Sequence, residues 1–410
     1  MQSWSSPLRT MTTNRNACAT TAVVLGLDTV TALGVVRSLG IAHIKVIGVN
    51  VGPRLGLAAY SRFCTRLVDV GSARQDEIVT TLVQAVAQEE RLPVLFATTD
   101  PGVLFIHSNA TALAQHFRLS LSTKYPIADL LDKNQMARMA SKAGVRVPRT
   151  HTVRLIPHEL RDTGQFGELR YPVIAKPVDS LSLGKSDFVL AKDPADLVYS
   201  LRKKATNQLG LTFVIQEYVP GADRCVIEAF ALNVGGKVHV PCMAFKHRVY
   251  PPVFGSSSYI ETFRDPILET LVARIVAEFE FPGAVDVELK RDSETGEIYF
   301  IEMNYRAGAP IWLATMGGAN LPATVALSED SSASSLESAR VRSGLRWFNE
   351  ETDWANAYHR RVGWGTLIRQ AWQADAYALW HRLDPAPALV AAARLSAHLT
   401  KRAARKFLSR

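Results

Sequence analysis

Residues 22–26, Ala-Val-Val-Leu-Gly, form a short apolar run, and behind it Val30, Leu33, Val36 and Leu39 recur at three-residue spacing. The run predicts a strand and the spacing a helix. Gly40 is placed to stop that helix, and residues 44–50, Ile-Lys-Val-Ile-Gly-Val-Asn, are a second apolar run. A strand–helix–strand unit implies a parallel sheet. Leu95-Phe96-Ala97 predicts a further strand, ending at Thr98-Thr99-Asp100, and this first unit is expected to end near Lys124. From Asp132 the pattern reads as a helix, then Gly144, then an extended Val-Arg-Val-Pro-Arg-Thr segment; strands and turns alternate from there to about Leu327. Residues 328–343, rich in Ser and Glu, read as a loop or linker. Residues 344–354 are partly strand-like, and the C-terminus is helical and rich in Ala, Leu and Arg.

The most informative stretch is 283–306. On a strand from Ala284 to Lys290, Val285, Val287 and Leu289 face one way and Asp286, Glu288 and Lys290 the other. Residues 292–296 are a turn. On the return strand Ile301 and Met303 are expected on the core side, with Glu302, Asn304 and Arg306 opposite. One hairpin thus gathers three carboxylates, an amide oxygen and a guanidinium on a single face. Carboxylates this close repel unless a cation sits between them, and hard oxygen donors suit magnesium, which it shares with substrate phosphates. The alternative is a solvated face of an antiparallel sheet.

Two further segments bear on that choice. Residues 171–190 begin as a buried strand carrying Lys176, enter a polar small-residue loop with Gly184, and return to a strand. A strand lysine followed by such a loop can hold a phosphate by charge and backbone amides; an ordinary hairpin with a surface lysine has the same pattern. Residues 213–223 are an apolar strand, then Gln216-Glu217, a Pro-Gly turn and Asp223. Extended backbone beside an apolar wall can read an adenine edge, and Asp223 can accept from ribose hydroxyls.

Composition sets the class. The 410 residues are 47% hydrophobic and 21% charged, ordinary for a globular protein of two or three domains. No run of eighteen apolar residues exists, so no membrane span is expected. The first twenty residues lack an apolar core, which argues against a secretory signal. The four cysteines, Cys18, Cys64, Cys225 and Cys242, are scattered, which fits a reducing cytoplasm and neither a zinc site nor a disulfide framework. The formal charge is +9, but residues 386–410 carry six cations and no acid, so most of the imbalance sits in one tail and no nucleic-acid partner is expected.

The order and spacing of these pieces resemble the ATP-grasp superfamily, in its carbamoyl-phosphate-synthase-like and D-aspartate-ligase-like branch. The resemblance runs from about Val23 to about Asn320, through VVLGLDTVTALGVVRSLG, LLDKNQMARMASKAGVRVPRT, YPVIAKP, IQEYVPGAD, YPPVFGSSSYIET and YFIEMNYRAGAP. It implies an α/β and α+β architecture: a disordered extension over 1–20, a parallel-sheet pre-ATP-grasp domain over 21–124, a two-subdomain ATP-grasp fold over 125–345, and a strand and helical extension with a basic tail over 346–410. It implies ATP and magnesium, with manganese as a substitute. Lys133 and Lys176 match the lysines placed on ATP phosphates. The stretch 179–186, with Ser180, Ser182, Gly184 and Lys185, matches the phosphate-covering loop. Gln216, Glu217, Tyr218 and Val219 match the adenine hinge, and Asp223 the ribose acid. Glu302 and Asn304 match magnesium ligands, with Glu288 preferred to Asp286 as the other metal carboxylate, because Glu288 lies fourteen residues before Glu302. Arg306 matches the arginine facing an acyl phosphate. Tyr305 stands where many members have proline, and the phosphate loop has one glycine. No biotin-attachment or amidotransferase segment is present.

The implied activity is ligation of a carboxylate to an amine through an acyl phosphate, releasing ADP and phosphate. Lys176 and Arg306 act on the transferring group. A phosphotransferase, or a non-catalytic nucleotide-responsive protein, are the alternatives. For the second substrate, the basic run around Lys246 and Arg248 and the serines Ser257 and Ser258 are candidates, with a solvated charged turn as the plain alternative. The implied partners are two small molecules and further copies of the chain, in the cytoplasm. In the tail, Ala388, Ala392, Leu395, Leu399 and Ala403 make one stripe, near Lys401, Arg402, Arg405 and Lys406. This is a helix packed on the ATP-grasp domain or one resting on an anionic membrane surface.

Overall fold

The computed structural model describes residues 20–122, 124–156, 164–177, 188–207, 210–253, 255–328, 339–360 and 362–408. Three sheets organise the chain. The first holds β1 (Thr21–Leu25), β2 (Lys45–Val51), β3 (Arg66–Gly71), β4 (Val94–Ala97) and β5 (Arg118–Leu119) in the order β3-β2-β1-β4-β5, all parallel. Their apolar runs are continuous because both faces are covered. Ala22 and Val24 pack toward α1 (Val30–Ile41), while Val23 and Leu25 pack toward α2 (Gln75–Val86), α3 (Asp100–Ser108) and α4 (Ala110–Leu113).

Helix α1 starts where expected, with the Thr29 hydroxyl accepting from the Ala32 amide at 3.0 Å. It does not stop at Gly40. The helix runs one residue further, and the left-handed residue beyond it is His43, at φ 60°. Gly40 is small for a different reason: a Cβ there would lie 2.4 Å from Cβ of Phe63.

Two short helices, α5 (Ile127–Leu131) and α6 (Lys133–Lys142), lead into the second sheet. Asp132 caps α6, accepting from the amides of Asn134 and Gln135 at 2.9 and 2.8 Å, which sets Lys133 in the first turn. The second sheet is antiparallel, with β6 (Thr150–Arg154), β7 (Val173–Pro177), β8 (Val189–Ala191) and β9 (Thr212–Glu217) in the order β6-β9-β7-β8. Leu197, Val198 and Leu201 of α7 (Pro194–Asn207) close its core.

The third sheet has seven strands: β10 (Val226–Val234), β11 (Lys237–Tyr250), β12 (Ser256–Phe263), β13 (Gly283–Arg291), β14 (Ile298–Asn304), β15 (Arg346–Phe348) and β16 (Ala376–Tyr377), ordered β14-β13-β10-β11-β12-β15-β16. One face is uniformly apolar. Ile227, Ala229, Ala231, Val285, Val287 and Leu289 meet α6 and α8 (Pro266–Phe279) there. The opposite face is divided. At one end Phe230 and Leu232 join the core shared with α1, α9 (Ile311–Met316) and α10 (Leu321–Leu327); at the other, Glu288 and Lys290 line a cleft, with buried Glu228 beside Glu288.

The remaining helices are α11 (Thr352–Arg360), α12 (Trp364–Trp372) and α13 (Ala386–Leu408). Helix α13 leans on the 3-10 turn Leu57–Tyr60 of the first unit. Of the proposed stripe, Ala388 packs into the core, but Ala392 and Leu395 are exposed. Among the described residues no helix is long and apolar enough to cross a membrane.

Candidate active site

The cleft lies between the second and third sheets. Its lining includes Lys133, Lys176, Phe188, residues 216–219, Asp223, Lys246, Glu288, Lys290, Ile301 and Glu302. The hairpin supplies one wall. Glu228, Glu288 and Glu302 are directly opposed on β10, β13 and β14, and Asp286 is opposed to Asn304. Directly opposed side chains on a sheet are close neighbours, so three carboxylates stand abreast.

The return strand departs from strict alternation. A β-bulge between the Glu288 and Leu289 pairs lets Phe300 oppose Leu289 while Glu302 opposes Glu288. The extra residue is Ile301. Phe300 and Met303 therefore take the two core positions, and Ile301, expected in the core, lines the cleft instead. The bulge keeps Glu302 and Asn304 on the site face.

This crowd of acids is balanced by a cation. The ammonium of Lys246, a buried β11 residue, is ion-paired with Glu288. Burial opposes its charge, but Glu288, Glu228 and Asp286 overcome that and hold its pKa above the ordinary lysine value. Asp286 goes the other way. Burial and the Glu228 charge push its pKa well up, against the relief from Lys246 and Arg306. One Asp286 oxygen accepts from the Asn304 amide at 3.3 Å; the other is buried without a hydrogen-bond partner.

Arg306 closes the row. Its guanidinium donates to Asp100 at 2.8 Å, to the Ala307 carbonyl at 3.2 Å and to Asn304 Oδ1 at 3.4 Å. Asp100 opens α3 just beyond the carboxyl end of β4, so a residue of the first sheet's unit orients the arginine. Ligands of open parallel sheets gather at that edge.

On the other wall Lys176 of β7 donates to Gln216 Oε1 of β9 at 3.4 Å and lies 5.8 Å from the Phe188 ring centroid. Val219 is buried, the Tyr218 amide bonds Pro172, and the Glu217 carboxylate accepts from the Arg170 amide at 2.8 Å. Lys290 sits 3.9 Å from the centroid of Tyr218, a cation–π contact joining the walls. One Asp223 oxygen accepts from the Val249 amide at 3.1 Å. The expected phosphate loop, with Ser180, Ser182, Gly184 and Lys185, lies outside the described residues.

The residues expected to receive the second substrate are placed differently. Arg248 forms a two-point ion pair with Asp353 of α11, at 2.8 and 2.6 Å, and its third nitrogen donates to Gln370 at 2.7 Å. The Ser258 hydroxyl donates to the same aspartate at 2.7 Å and accepts from Asn356. Ser257 donates to Glu228 at 2.6 Å. The serines are strand positions of β12 and not a loop, and neither they nor Arg248 line the cleft. Arg248 and Ser258 tie the third sheet to the C-terminal helices. Of this group only Lys246 lines the cleft, while Ser257 bonds Glu228 of the acidic row.

Two contributors carried weak sequence signals. Glu228 is a lone acid in an apolar strand, and Asp100 follows a strand end. Among the described residues, no three Asp, Glu, His or Cys side chains converge closely enough, as they stand, to hold a metal ion, and the Lys246 ammonium is paired with Glu288. The donor chemistry still fits a hard divalent cation: two opposed carboxylates, an amide oxygen and one orphaned carboxylate oxygen.

No family model matches the chain. It is similar to the D-aspartate ligase of Enterococcus faecium, at 21% identity over 319 residues covering 73% of this chain and 74% of that one. It also resembles the arginine-specific carbamoyl phosphate synthase large chain of Lactiplantibacillus plantarum, at 25% identity over 58% of this chain and 23% of that one. Among solved structures, an L-amino acid ligase from Bacillus licheniformis superposes with a TM-score of 0.59 at 16% identity, over 80% of this chain and 78% of that one. The fold is that of the ATP-grasp proteins. The sequence relatives and the solved structure that the chain resembles are all ligases or synthases.

Proposed function

We propose that the protein joins a small-molecule carboxylate to an amine, using ATP to make an acyl phosphate and releasing ADP and phosphate. The observation that carries this is the row Glu228–Glu288–Glu302 with Asp286–Asn304 and Arg306, of which Glu288 and Glu302 line a cleft that Lys133, Lys176 and the 216–219 segment also line. A carboxylate is a poor acyl donor because its leaving group would be oxide; phosphorylation supplies phosphate instead, and the enzyme's work is positioning and neutralising charge.

In this reading Lys133 and Lys176 hold ATP phosphates as point charges, residues 216–219 line the adenine and Asp223 takes the ribose. Glu288, Glu302 and Asn304 are the magnesium ligands, with Asp286 beside them. A bound magnesium ion would bridge and neutralise ATP phosphates. Arg306, held by Asp100, presents a planar fork to the migrating phosphoryl group. An acyl phosphate hydrolyses if wet, which gives residues 179–186 their proposed role as a cover. The D-aspartate ligase and L-amino acid ligase likenesses support an amino acid among the substrates. The domain boundaries proposed are 21–124, 125–345 and 346–410, in a cytoplasmic, oligomeric protein.

The test is product analysis with magnesium and a panel of amino acids and carboxylates. ADP and phosphate released only when both substrates are present is the expected result. AMP and pyrophosphate, or phosphoryl transfer without an amide product, would overturn the reading.

A further inference from the structure

Eight of the seventeen exposed large apolar side chains among the described residues lie between Trp354 and Leu395. The densest group is on α12. Trp364, Ile368 and Trp372 recur every four residues and are 64, 57 and 87% exposed. They form one stripe along the helix. Leu367 and Ala371, on its inner side, pack against Tyr259 and Phe348, so the helix is anchored and the stripe is left over. Trp354 of α11 extends the stripe, its ring stacked 6.2 Å from that of Trp364. Core packing does not account for three large side chains turned to water on one short helix.

The charge of the C-terminal segment that carries them narrows the partner. Residues 360–410 contain ten cations and two acids, a net of +8 in a chain of net +9. Both acids are engaged: Asp384 is buried against Arg37, and Asp375 accepts from the Arg346 amide at 2.9 Å. Exposed Arg369 lies beside the stripe on α12, and exposed Arg382 stands between exposed Trp380 and Leu383. Two copies of the chain meeting through this face would bring like charges together. An anionic lipid surface takes both components: the indole rings sit at the headgroup boundary and the cations meet lipid phosphates.

We propose that the Trp364–Ile368–Trp372 face of α12 seats the protein on an anionic membrane surface. The contact is peripheral, and α12 lies in the plane of the interface. The cleft is not part of this face, so nucleotide binding does not depend on it.

The test uses the full chain with vesicles of phosphatidylcholine alone or mixed with phosphatidylglycerol. Co-sedimentation and a blue shift of tryptophan emission are expected with the mixed vesicles only, weakening as salt rises. The combined variant W364A/I368A/W372A should bind those vesicles at least about tenfold more weakly, with ATP affinity by calorimetry unchanged as evidence of folding. No binding to the mixed vesicles, or equal binding by the variant, would overturn the proposal. So would self-association of the native chain that the variant loses, since the occupant would then be a second copy. Loss of vesicle binding only on truncation after Pro385 would move the contact to the tail helix and also overturn it.

Discussion

Lys246 pairs with Glu288 in the middle of a buried acidic row, and much of the site's energetics follows from that. Lys246→Ala would remove the cation that pairs with Glu288 and offsets Glu228 and Asp286. Breaking a buried ion pair from one side costs about 3–5 kcal/mol. The variant is therefore expected to melt well below the native protein in chelator, and magnesium should recover part of the loss by replacing the missing charge. A melting temperature indifferent to magnesium would contradict metal binding by this face. Glu302→Gln and Asn304→Ala should abolish magnesium-dependent ATP turnover in folded protein, because both are opposed to the other donors across the hairpin; turnover at the native rate would remove them from the site. Lys176→Ala should weaken ATP binding, since a phosphate would lose a cation in a partly desolvated cleft, and an unchanged calorimetric affinity would refute its role.

At the scale of elements, α1 tests how context decides a glycine's effect. In an exposed helix, replacing Gly by Ala stabilises by about 1 kcal/mol. Gly40 is followed by two more helical or capping residues and has a helical backbone, so propensity alone favours alanine. A Cβ at that site would meet the Phe63 Cβ and ring at 2.4–2.5 Å, and a ring attached this near its own backbone has little room to give. Overpacking of this kind costs about 1–3 kcal/mol. Gly40→Ala is thus expected to destabilise, and a rise in the denaturation midpoint would show that the Phe63 loop yields freely. The β14 bulge is a second case where an element's detail matters. Alternation placed Asp286, Glu288, Glu302 and Asn304 on one face correctly, yet assigned Ile301 to the core. One inserted residue shifts everything on one side of it by a full pleat.

The whole molecule is fastened by a clamp between its ends. Arg37, fully buried in α1, donates to Asp384 at 2.9 Å and to the carbonyls of Ala378, Leu379 and Asp384, while Ser61 and the Arg62 amide also serve Asp384. Truncation after Pro385 keeps this clamp, so folding and ATP turnover are expected to survive it; loss of turnover in a folded truncated protein would put α13 in the active site or in an oligomer that builds it. Nearby His381 stands edge-on to Trp312 with its rings 5.1 Å apart, one ring nitrogen buried and unpartnered. Burial, then the Arg37 charge, lower its pKa to about 4. Its folded pKa is below the unfolded value near 6.5, so the unfolded state takes up the proton first. The neutral ring's contribution is fully present above about pH 6.5 and is lost as the pH falls toward about 4. His381→Gln should flatten the fall in stability across that window, and an unchanged slope by chemical denaturation would assign the acid sensitivity elsewhere.

The chain's own pattern determined the parallel first sheet, the α6 helix after Asp132 and the hairpin with its acidic face, because strand and helix periods are local properties of side-chain order. It also carried the order of the cleft-lining segments. What it did not determine were the partners of single polar groups. Arg248, Ser257 and Ser258 have the composition of a substrate pocket, yet Asp353, more than ninety residues on, and Glu228 claim them. Asp100 joins Arg306, and Arg37 joins Asp384, across still longer stretches. Such pairs depend on how three sheets pack, and a buried charge takes whichever opposite charge the packing brings near. Only the tertiary structure also decided which apolar residues stay outside: Leu367 and Trp364 lie three apart on one helix, yet Leu367 is covered by Tyr259 and Phe348 and Trp364 is left to solvent.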